Sequence, residues 1–249
     1  MPRILLTNDD GIGASGLQAL EAVMAALGDV YIVAPHAEQS ATSRAITLRH
    51  PLRIVEAGKR RYAVEGTPAD TVMMALSQIL DFRPDLLVSG INSGPNLGEN
   101  IYYSGTVAAA AEGKKYGVPS IAVSVNARVD IHYEDAAEFA VRLARQVLLH
   151  GLPEGVALNV NVPHPWRGGA AVTRQSRKIS RNVMVQGRDP RGRAYYWMDE
   201  HVPLADADPG SDYAAVRDGN VSITPLRFDH TAEEAFGFLG KWIPEVDSR

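Results

Sequence analysis

The chain has 249 residues, of which 45% are hydrophobic and 22% are charged, a composition that supports a large buried core and excludes a mainly disordered chain. The net charge of −4 argues against a general nucleic-acid-binding protein, and the absence of cysteine excludes disulfide bonds, thiolate metal sites and cysteine nucleophiles. The opening residues MPRILLTNDD are too polar for a signal peptide or a membrane span. We therefore expect a cytoplasmic protein with no membrane partner and no stable nucleic-acid complex.

Strands and helices alternate through the first two-thirds of the chain. In chain order the predicted elements are the strand Ile4–Leu6, the helix Gly16–Leu27, the strand Val30–Ala34, a helix from Pro68 to about Leu80, the strand Leu86–Ser89, the helix Thr106–Tyr116, the strand Ile121–Val125, the helix Asp135–His150 and the strand Leu158–Val162. Thr67 as N-cap, followed by Pro68 and Asp70, is typical of a helix start. This rhythm predicts a parallel sheet covered on both faces, a doubly wound Rossmann-like α/β core over residues 1–162.

The pattern changes in residues 163–249, and 163–220 are rich in Gly, Pro, Arg and Asp. Predicted elements here are the strand-like pieces Ala170–Arg174 and Tyr195–Met198, the strand Val221–Pro225 and a helical tail from Thr231. We interpret this part as a β-rich extension used for oligomerisation, with 221–225 returning to the core. Such an extended segment is easier to stabilise against a second subunit than alone.

Polar residues follow three of the predicted strands. The polar runs are Thr7-Asn8-Asp9-Asp10-Gly11 after the first strand, 34–40 after the second and 90–98 after Leu86–Ser89. Ligands of open parallel sheets bind beyond the carboxyl ends of the strands, so the three runs are expected to converge on one rim.

Two adjacent carboxylates, Asp9 and Asp10, repel each other in a partly dry site, and a divalent cation is the usual remedy. Ser40 and Asn92 supply neutral oxygens from the neighbouring loops. Carboxylate, hydroxyl and amide oxygens suit Mg²⁺, Mn²⁺ or Ca²⁺ rather than zinc. The alternative is that residues 8–11 form an ordinary turn, because Asn, Asp and Gly favour turns for local reasons.

A second polar cluster opens the helix predicted from Thr106. The turn Tyr103-Ser104-Gly105-Thr106 leaves free backbone N–H groups at the positive end of a helix dipole, which is a favourable anion site. The hydroxyls of Ser104 and Thr106 add donors, and Asn96 lies in the preceding glycine-containing loop. The alternative here is a plain N-cap without a ligand.

In order and spacing, these motifs together resemble the signature of the SurE (survival protein E) family. The matching pieces are Asn8-Asp9-Asp10-Gly11, Val33-Ala34-Pro35, Gln39-Ser40, Gly66-Thr67-Pro68-Ala69-Asp70, 89–98, 103–107, 159–163, Thr173-Arg174-Gln175, Tyr196-Trp197 and 221–225. Each motif alone is weak, whereas the ordered set is specific and covers the chain roughly from Arg3 to Thr231. Thr71 stands where many members have cysteine, and 36–38 is a variable segment; neither falls on a predicted ligand.

The resemblance implies a metal-dependent 5′- and 3′-nucleotidase that also acts on other phosphomonoesters and, in some members, on polyphosphate. It implies a homodimer or homotetramer with an exchanged C-terminal segment, and one Mg²⁺ or Mn²⁺ per subunit. By matching position, the metal ligands are Asp9, Asp10, Ser40 and Asn92, and the phosphate-binding residues are Asn96, Ser104, Gly105 and Thr106. Asp9 and Asp10 are also the candidate catalytic residues, with Asp9 as the proton acceptor.

Two other functions are open on the sequence. An aspartyl-phosphatase would use Asp9 or Asp10 as nucleophile and needs a nearby lysine, for which Lys114 is the candidate. A receiver-type sensor would also carry paired aspartates, but it leaves the 92–98 and 104–106 loops unexplained. A dinucleotide-binding module is weaker still, because acids rather than Gly-x-Gly-x-x-Gly follow the first strand.

Overall fold

The structure, a computed structural model, describes residues 1–127, 130–177, 181–201, 208–243 and 246. Within these ranges the elements are β1 (Arg3–Thr7), α1 (Ser15–Met24), β2 (Asp29–Pro35), β3 (Ile54–Gly58), β4 (Arg61–Val64), α2 (Pro68–Met74), β5 (Leu86–Ser93), α3 (Gly105–Lys115), β6 (Ser120–Asn126), α4 (Glu134–His150), β7 (Ala157–Pro163), β8 (Ala170–Val172), β9 (Arg181–Arg188), β10 (Ala194–His201), α5 (Asp212–Arg217), β11 (Val221–Leu226) and α6 (Phe236–Leu239). A π-helical turn, Ala75–Ile79, extends α2, and short 3₁₀ turns cover Gly98–Tyr102 and Glu233–Ala235.

Nine strands form one sheet in the order β3-β4-β2-β1-β5-β6-β7-β11-β8. Only β3 with β4 and β11 with β7 pair in antiparallel fashion among these neighbours. The remaining pairs are parallel, so the predicted doubly wound α/β class is confirmed. β9 and β10 form a separate two-stranded hairpin.

Successive residues of a strand point to opposite sides of the sheet, so both faces carry apolar side chains here. Helices pack against both faces. In β1, Ile4 and Leu6 pack in the cluster that contains α1 and α4, whereas Leu5 packs in the cluster that contains α2 and α3. The start of α2 has the predicted capping chemistry. The Thr67 hydroxyl accepts the Asp70 N–H at 3.1 Å, and the Asp70 carboxylate accepts the Thr67 N–H at 2.9 Å.

Several boundaries differ from the sequence prediction. β3 was not predicted, since all five of its residues are exposed and give no alternating pattern. α1 ends at Met24 rather than Leu27. β5 continues through an irregularity in its pairing with β6 and ends at Ser93, so Asn92 lies on a strand rather than in a loop.

The last part of the chain contributes to the main sheet. β11 lies between β7 and β8, and β8 pairs only with β11 among the described strands. Of the described strands after residue 163, β8 and β11 thus lie in the main sheet, and β9 and β10 lie outside it. No helix in the described ranges has the length and apolar character needed to cross a bilayer.

Candidate active site

The carboxyl ends of β1, β2 and β5 meet at one rim, because these parallel strands are neighbours. A cavity of about 800 Å³ opens there. Six of the predicted site residues line it, namely Asp9, Asp10, Ser40, Asn92, Asn96 and Ser104. The other two, Gly105 and Thr106, lie against Asp9.

Asp9 follows β1 and is buried, with 4% of its surface exposed. The hydroxyl of Thr106 donates a short hydrogen bond to its Oδ1 atom. A Cβ atom on Gly105 would stand 2.7 Å from the Cβ atom of Asp9, so only glycine permits this approach. The first turn of α3 therefore holds the Asp9 side chain. The predicted contacts of Gly105 and Thr106 with a phosphate stay a prediction.

The two aspartates are difficult to ionise together in the absence of a cation. Burial raises the pKa of Asp9 above its usual value, and the hydrogen bond from Thr106 opposes this. Burial, and then the charge of Asp9, raise the pKa of Asp10 to about 6, although the Ser93 N–H donates to it. A divalent cation would favour both charged forms.

Ser40 and Asn92 both have an oxygen atom that can accept a cation. The amide nitrogen of Asn92 donates to the Gly94 carbonyl at 2.8 Å, which leaves its side-chain oxygen for a ligand. The hydroxyl of Ser40 donates to the Glu38 carboxylate at 2.7 Å and keeps its lone pairs. Each predicted neutral ligand is thus oriented by a partner.

Glu38 is a third carboxylate in the cavity that the sequence analysis missed. Its charge raises the pKa values of Asp9 and Asp10. Its position in the polar run after β2 is the sequence signal that points to it. Among the described residues that line the cavity there are three carboxylates and no lysine, arginine or histidine. No three His, Cys, Asp or Glu side chains in the described ranges form a metal cluster, so neutral oxygens would complete any ligand set.

Asn96 is buried and held by side chains of β6 and β7. Its N–H donates to the Asn161 side chain at 2.7 Å, and its amide nitrogen donates to the Ser124 hydroxyl at 2.8 Å. Asn159 donates to its carbonyl oxygen at 2.8 Å. The motif 159–163 thus supplies two asparagines that hold Asn96, a role that the sequence motif alone does not indicate.

Ser104 is the N-cap of α3 and also lines the cavity. Its oxygen accepts the Val107 N–H at 3.1 Å, which leaves the hydroxyl proton for a ligand. Ser104 can therefore act both as the N-cap of α3 and as a hydrogen-bond donor to a phosphate. Lys114, needed by the aspartyl-phosphatase alternative, lies in the last turn of α3 and lines a different cavity with Arg83 and Gly155.

Comparisons with known proteins agree on one family. The family described as Survival protein SurE matches residues 4–182. A protein from Geotalea daltonii named 5′-nucleotidase SurE is 47% identical over 245 residues, which covers 96% of this chain and 98% of the relative. A protein of the same name from Anaeromyxobacter dehalogenans is 48% identical over 244 residues, which covers 96% of this chain and 95% of the relative.

A solved structure is also similar over nearly the whole length. The crystal structure of the SurE protein from Aquifex aeolicus superposes with a TM-score of 0.87 at 39% identity, covering 99% of this chain and 100% of that chain. The resemblance stated from the sequence motifs is therefore confirmed. This chain belongs to the SurE family.

Proposed function

We propose that this chain is a divalent-metal-dependent 5′-nucleotidase that hydrolyses nucleoside monophosphates to nucleoside and phosphate. The negative charge of the cavity is the observation that supports metal dependence. Its described lining has three carboxylates and no cationic side chain, and that charge would repel a phosphate dianion. The rim can therefore bind a phosphomonoester only with a cation present. The names of the relatives, 5′-nucleotidase SurE, support the substrate class.

The donor set fits Mg²⁺ or Mn²⁺, one ion per subunit. Asp9 and Asp10 would supply charged oxygens, and Ser40 and Asn92 would supply neutral ones. When bound, such an ion supplies Lewis-acid charge to the phosphoryl oxygens and to the attacking water.

The protein's own groups orient the phosphoryl oxygens. The Ser104 hydroxyl lines the cavity and would donate to a phosphoryl oxygen that carries developing negative charge. Gly105 and Thr106, in the first turn of α3 beside it, would add the positive end of the helix dipole. Asn96 is fixed beside them by its bonds to β6 and β7. The Asp9 carboxylate, held by Thr106, takes up the proton of the attacking water.

Part of the cavity wall is mostly apolar and suits a nucleoside. Tyr103, Ile131 and Met198 line it and offer mostly apolar surface rather than base-specific hydrogen bonds. The resemblance to the SurE family implies 3′-monophosphates and short polyphosphate as further substrates, and we include both in the proposal. The cytoplasmic location stays a prediction from the sequence.

We also propose a homodimer or homotetramer, and the β9–β10 hairpin supports it. Apolar side chains are exposed on both of its strands, including Met184 and Val185 on β9 and Tyr196 and Trp197 on β10. A patch of this kind is typical of a protein interface.

Phosphate release from 5′-AMP, 3′-AMP and tripolyphosphate tests the proposal, with Mn²⁺, Mg²⁺ or EDTA. Asp9→Asn is the test variant, and Asp81→Asn, which removes an exposed carboxylate elsewhere, is the matched control. We expect release that needs the metal and is lost only in Asp9→Asn. A folded protein that releases no phosphate with any metal would contradict the proposal. A phosphorylated protein trapped by acid quench would favour the aspartyl-phosphatase or the sensor.

A further inference from the structure

The loop that carries Asn96 is tied to the distant C-terminal part of the chain at Gly98. Both backbone polar groups of Gly98 are bound by side chains. Its N–H donates to Oδ2 of Asp212 at 2.8 Å, and its carbonyl accepts from Nε2 of Gln175 at 2.8 Å. The partners are 114 and 77 residues away in sequence. A loop residue held at both groups has little freedom to move.

Asp212 joins three chain segments at one buried point. Its side chain is fully buried and also accepts the N–H groups of Ser176, at 3.0 Å, and of Tyr213, at 2.8 Å. Hydrogen bonds from backbone N–H groups to a carboxylate are stronger than neutral ones, and burial makes their loss costly. The first residue of α5 thus links the segment that leads to β9 with the loop that follows β5.

Side-chain packing reinforces the same connection. Leu97, Tyr213 and Val216 form a small buried apolar cluster. A Cβ atom on Gly98 would stand 2.9 Å from Cε2 of Tyr213, so the ring lies directly on the glycine backbone. Gly98 has a φ of +54°, a left-handed conformation that glycine adopts without strain.

We propose that Asp212 and Gln175 are positioning residues for the candidate active site. They act through Gly98, two residues after Asn96, and do not line the cavity themselves. Side chains of β6 and β7 hold Asn96, and Asp212 and Gln175 hold Gly98 two residues later. The loop that carries Asn96 is thus held in place by residues from both halves of the chain. The inference rests on the proposed nucleotidase function.

Three variants separate positioning from simple stability. Asp212→Asn replaces one accepting oxygen by a donor that faces N–H groups, and Gln175→Leu removes the bond to the Gly98 carbonyl. Ser211→Ala is the control, because it removes the N-cap of the same helix, whose hydroxyl accepts the Ala214 N–H at 3.3 Å, without a contact to Gly98.

Steady-state kinetics with Mn²⁺ and 5′-AMP give the first readout. We expect kcat/KM to fall roughly 30-fold in Asp212→Asn and about fivefold in Gln175→Leu, since small misplacements of binding groups are costly. Mn²⁺ affinity should change less than about threefold, because none of the proposed ligands lies in the held loop. Ser211→Ala should melt earlier and keep kcat/KM within about twofold.

A double variant tests whether Asp212 acts through the loop. Asn96→Ala combined with Asp212→Asn should have nearly the activity of Asn96→Ala alone, because both remove the same positioning. Additive losses would overturn the proposal. So would a folded Asp212→Asn or Gln175→Leu protein with unchanged kcat/KM.

Amide hydrogen exchange over residues 95–100 gives a readout that does not need turnover. Faster exchange in Asp212→Asn and Gln175→Leu, but not in Ser211→Ala, supports the positioning role. Unchanged exchange overturns it. If the wild-type protein releases no phosphate while the variants differ in exchange as described, the nucleotidase function is refuted and the restraint on the loop is still established. If Asp212→Asn does not fold, Gln175→Leu decides the outcome.

Discussion

The rim of the cavity and the β9–β10 hairpin differ in how their side chains find partners. At the rim, polar groups are buried and bonded to residues far away in the sequence, as Asp9 is to Thr106 and Asn96 to Asn161. On the hairpin, Trp197 is 71% exposed, and among the described strands β9 and β10 pair only with each other. The polar groups at the rim named here are held by residues of the same chain, whereas the hairpin presents apolar side chains that a second subunit can cover.

The largest effect is expected at the rim. Asp9→Asn should lower kcat/KM by roughly 10³-fold, because it removes a proposed charged ligand and proton acceptor together. Sedimentation should show an unchanged oligomer. Asp81→Asn, an exposed carboxylate, serves as the control. Near-normal turnover by Asp9→Asn would remove Asp9 from the mechanism.

The packing behind the rim gives the next effect. Gly105→Ala places a Cβ atom 2.7 Å from that of Asp9, and α3 must move away to relieve the contact. We expect kcat/KM to fall about 10²-fold, since a small displacement misaligns the phosphate donors. Gly13→Ala is the matched control, because its added Cβ atom meets nothing within 4 Å. Equal activity of the two variants would show that the contact is not needed.

The pH dependence of stability in EDTA isolates Asp10. Its folded pKa of about 6 lies above the ordinary 3.8, so its contribution to stability is present below about pH 4 and lost as the pH rises through 6. Asp10→Asn should therefore stabilise the metal-free protein at pH 8 by on the order of 2 kcal/mol. Urea unfolding at pH 4.5 and 8 measures this difference. If Asp10→Asn and the wild-type protein have the same free energy of unfolding at pH 8, the charged Asp10 carboxylate does not destabilise the folded state.

The smallest effect is expected on the hairpin. Trp197→Ser should weaken self-association about tenfold, or about 1.4 kcal/mol, and leave kcat within about twofold at concentrations that keep the oligomer. Leu149→Ser is the control, since Leu149 on α4 is also 71% exposed. Sedimentation equilibrium distinguishes them. A monomeric wild-type protein, or equal effects of Trp197→Ser and Leu149→Ser on self-association, would contradict the proposal that the hairpin is a subunit interface.

Sequence patterns predicted those parts whose physics is local. The capping group of Thr67 and Asp70 spans three residues. The continuous apolar run Ile4–Leu6 predicts a strand that is buried on both faces, and its side chains pack in two clusters on opposite sides of the sheet. The order of strands then brings Asp9, Ser40 and Asn92 to one rim by a general rule of parallel sheets.

The rest depends on contacts that no local pattern encodes. Asp212 reaches Gly98 across 114 residues, and nothing near either residue in sequence marks the pair. Asn161 reaches Asn96 across 65 residues in the same way. The position of Glu38 after β2 places it near the rim, but its closeness to the two aspartates depends on the path of the segment 36–38, which the sequence does not give.

The place of β11 in the sheet has a consequence for the order in which the chain folds. β8 has only β11 as a described neighbour, and β11 lies 49 residues beyond Val172, so β8 cannot pair when it leaves the ribosome. Strands β1 to β7 can associate earlier in synthesis, because each finds a partner among themselves. One edge of the sheet, at β7, therefore stays open until residues 221–226 emerge. During that interval the nascent chain presents an unpaired strand edge of the kind that chaperones protect.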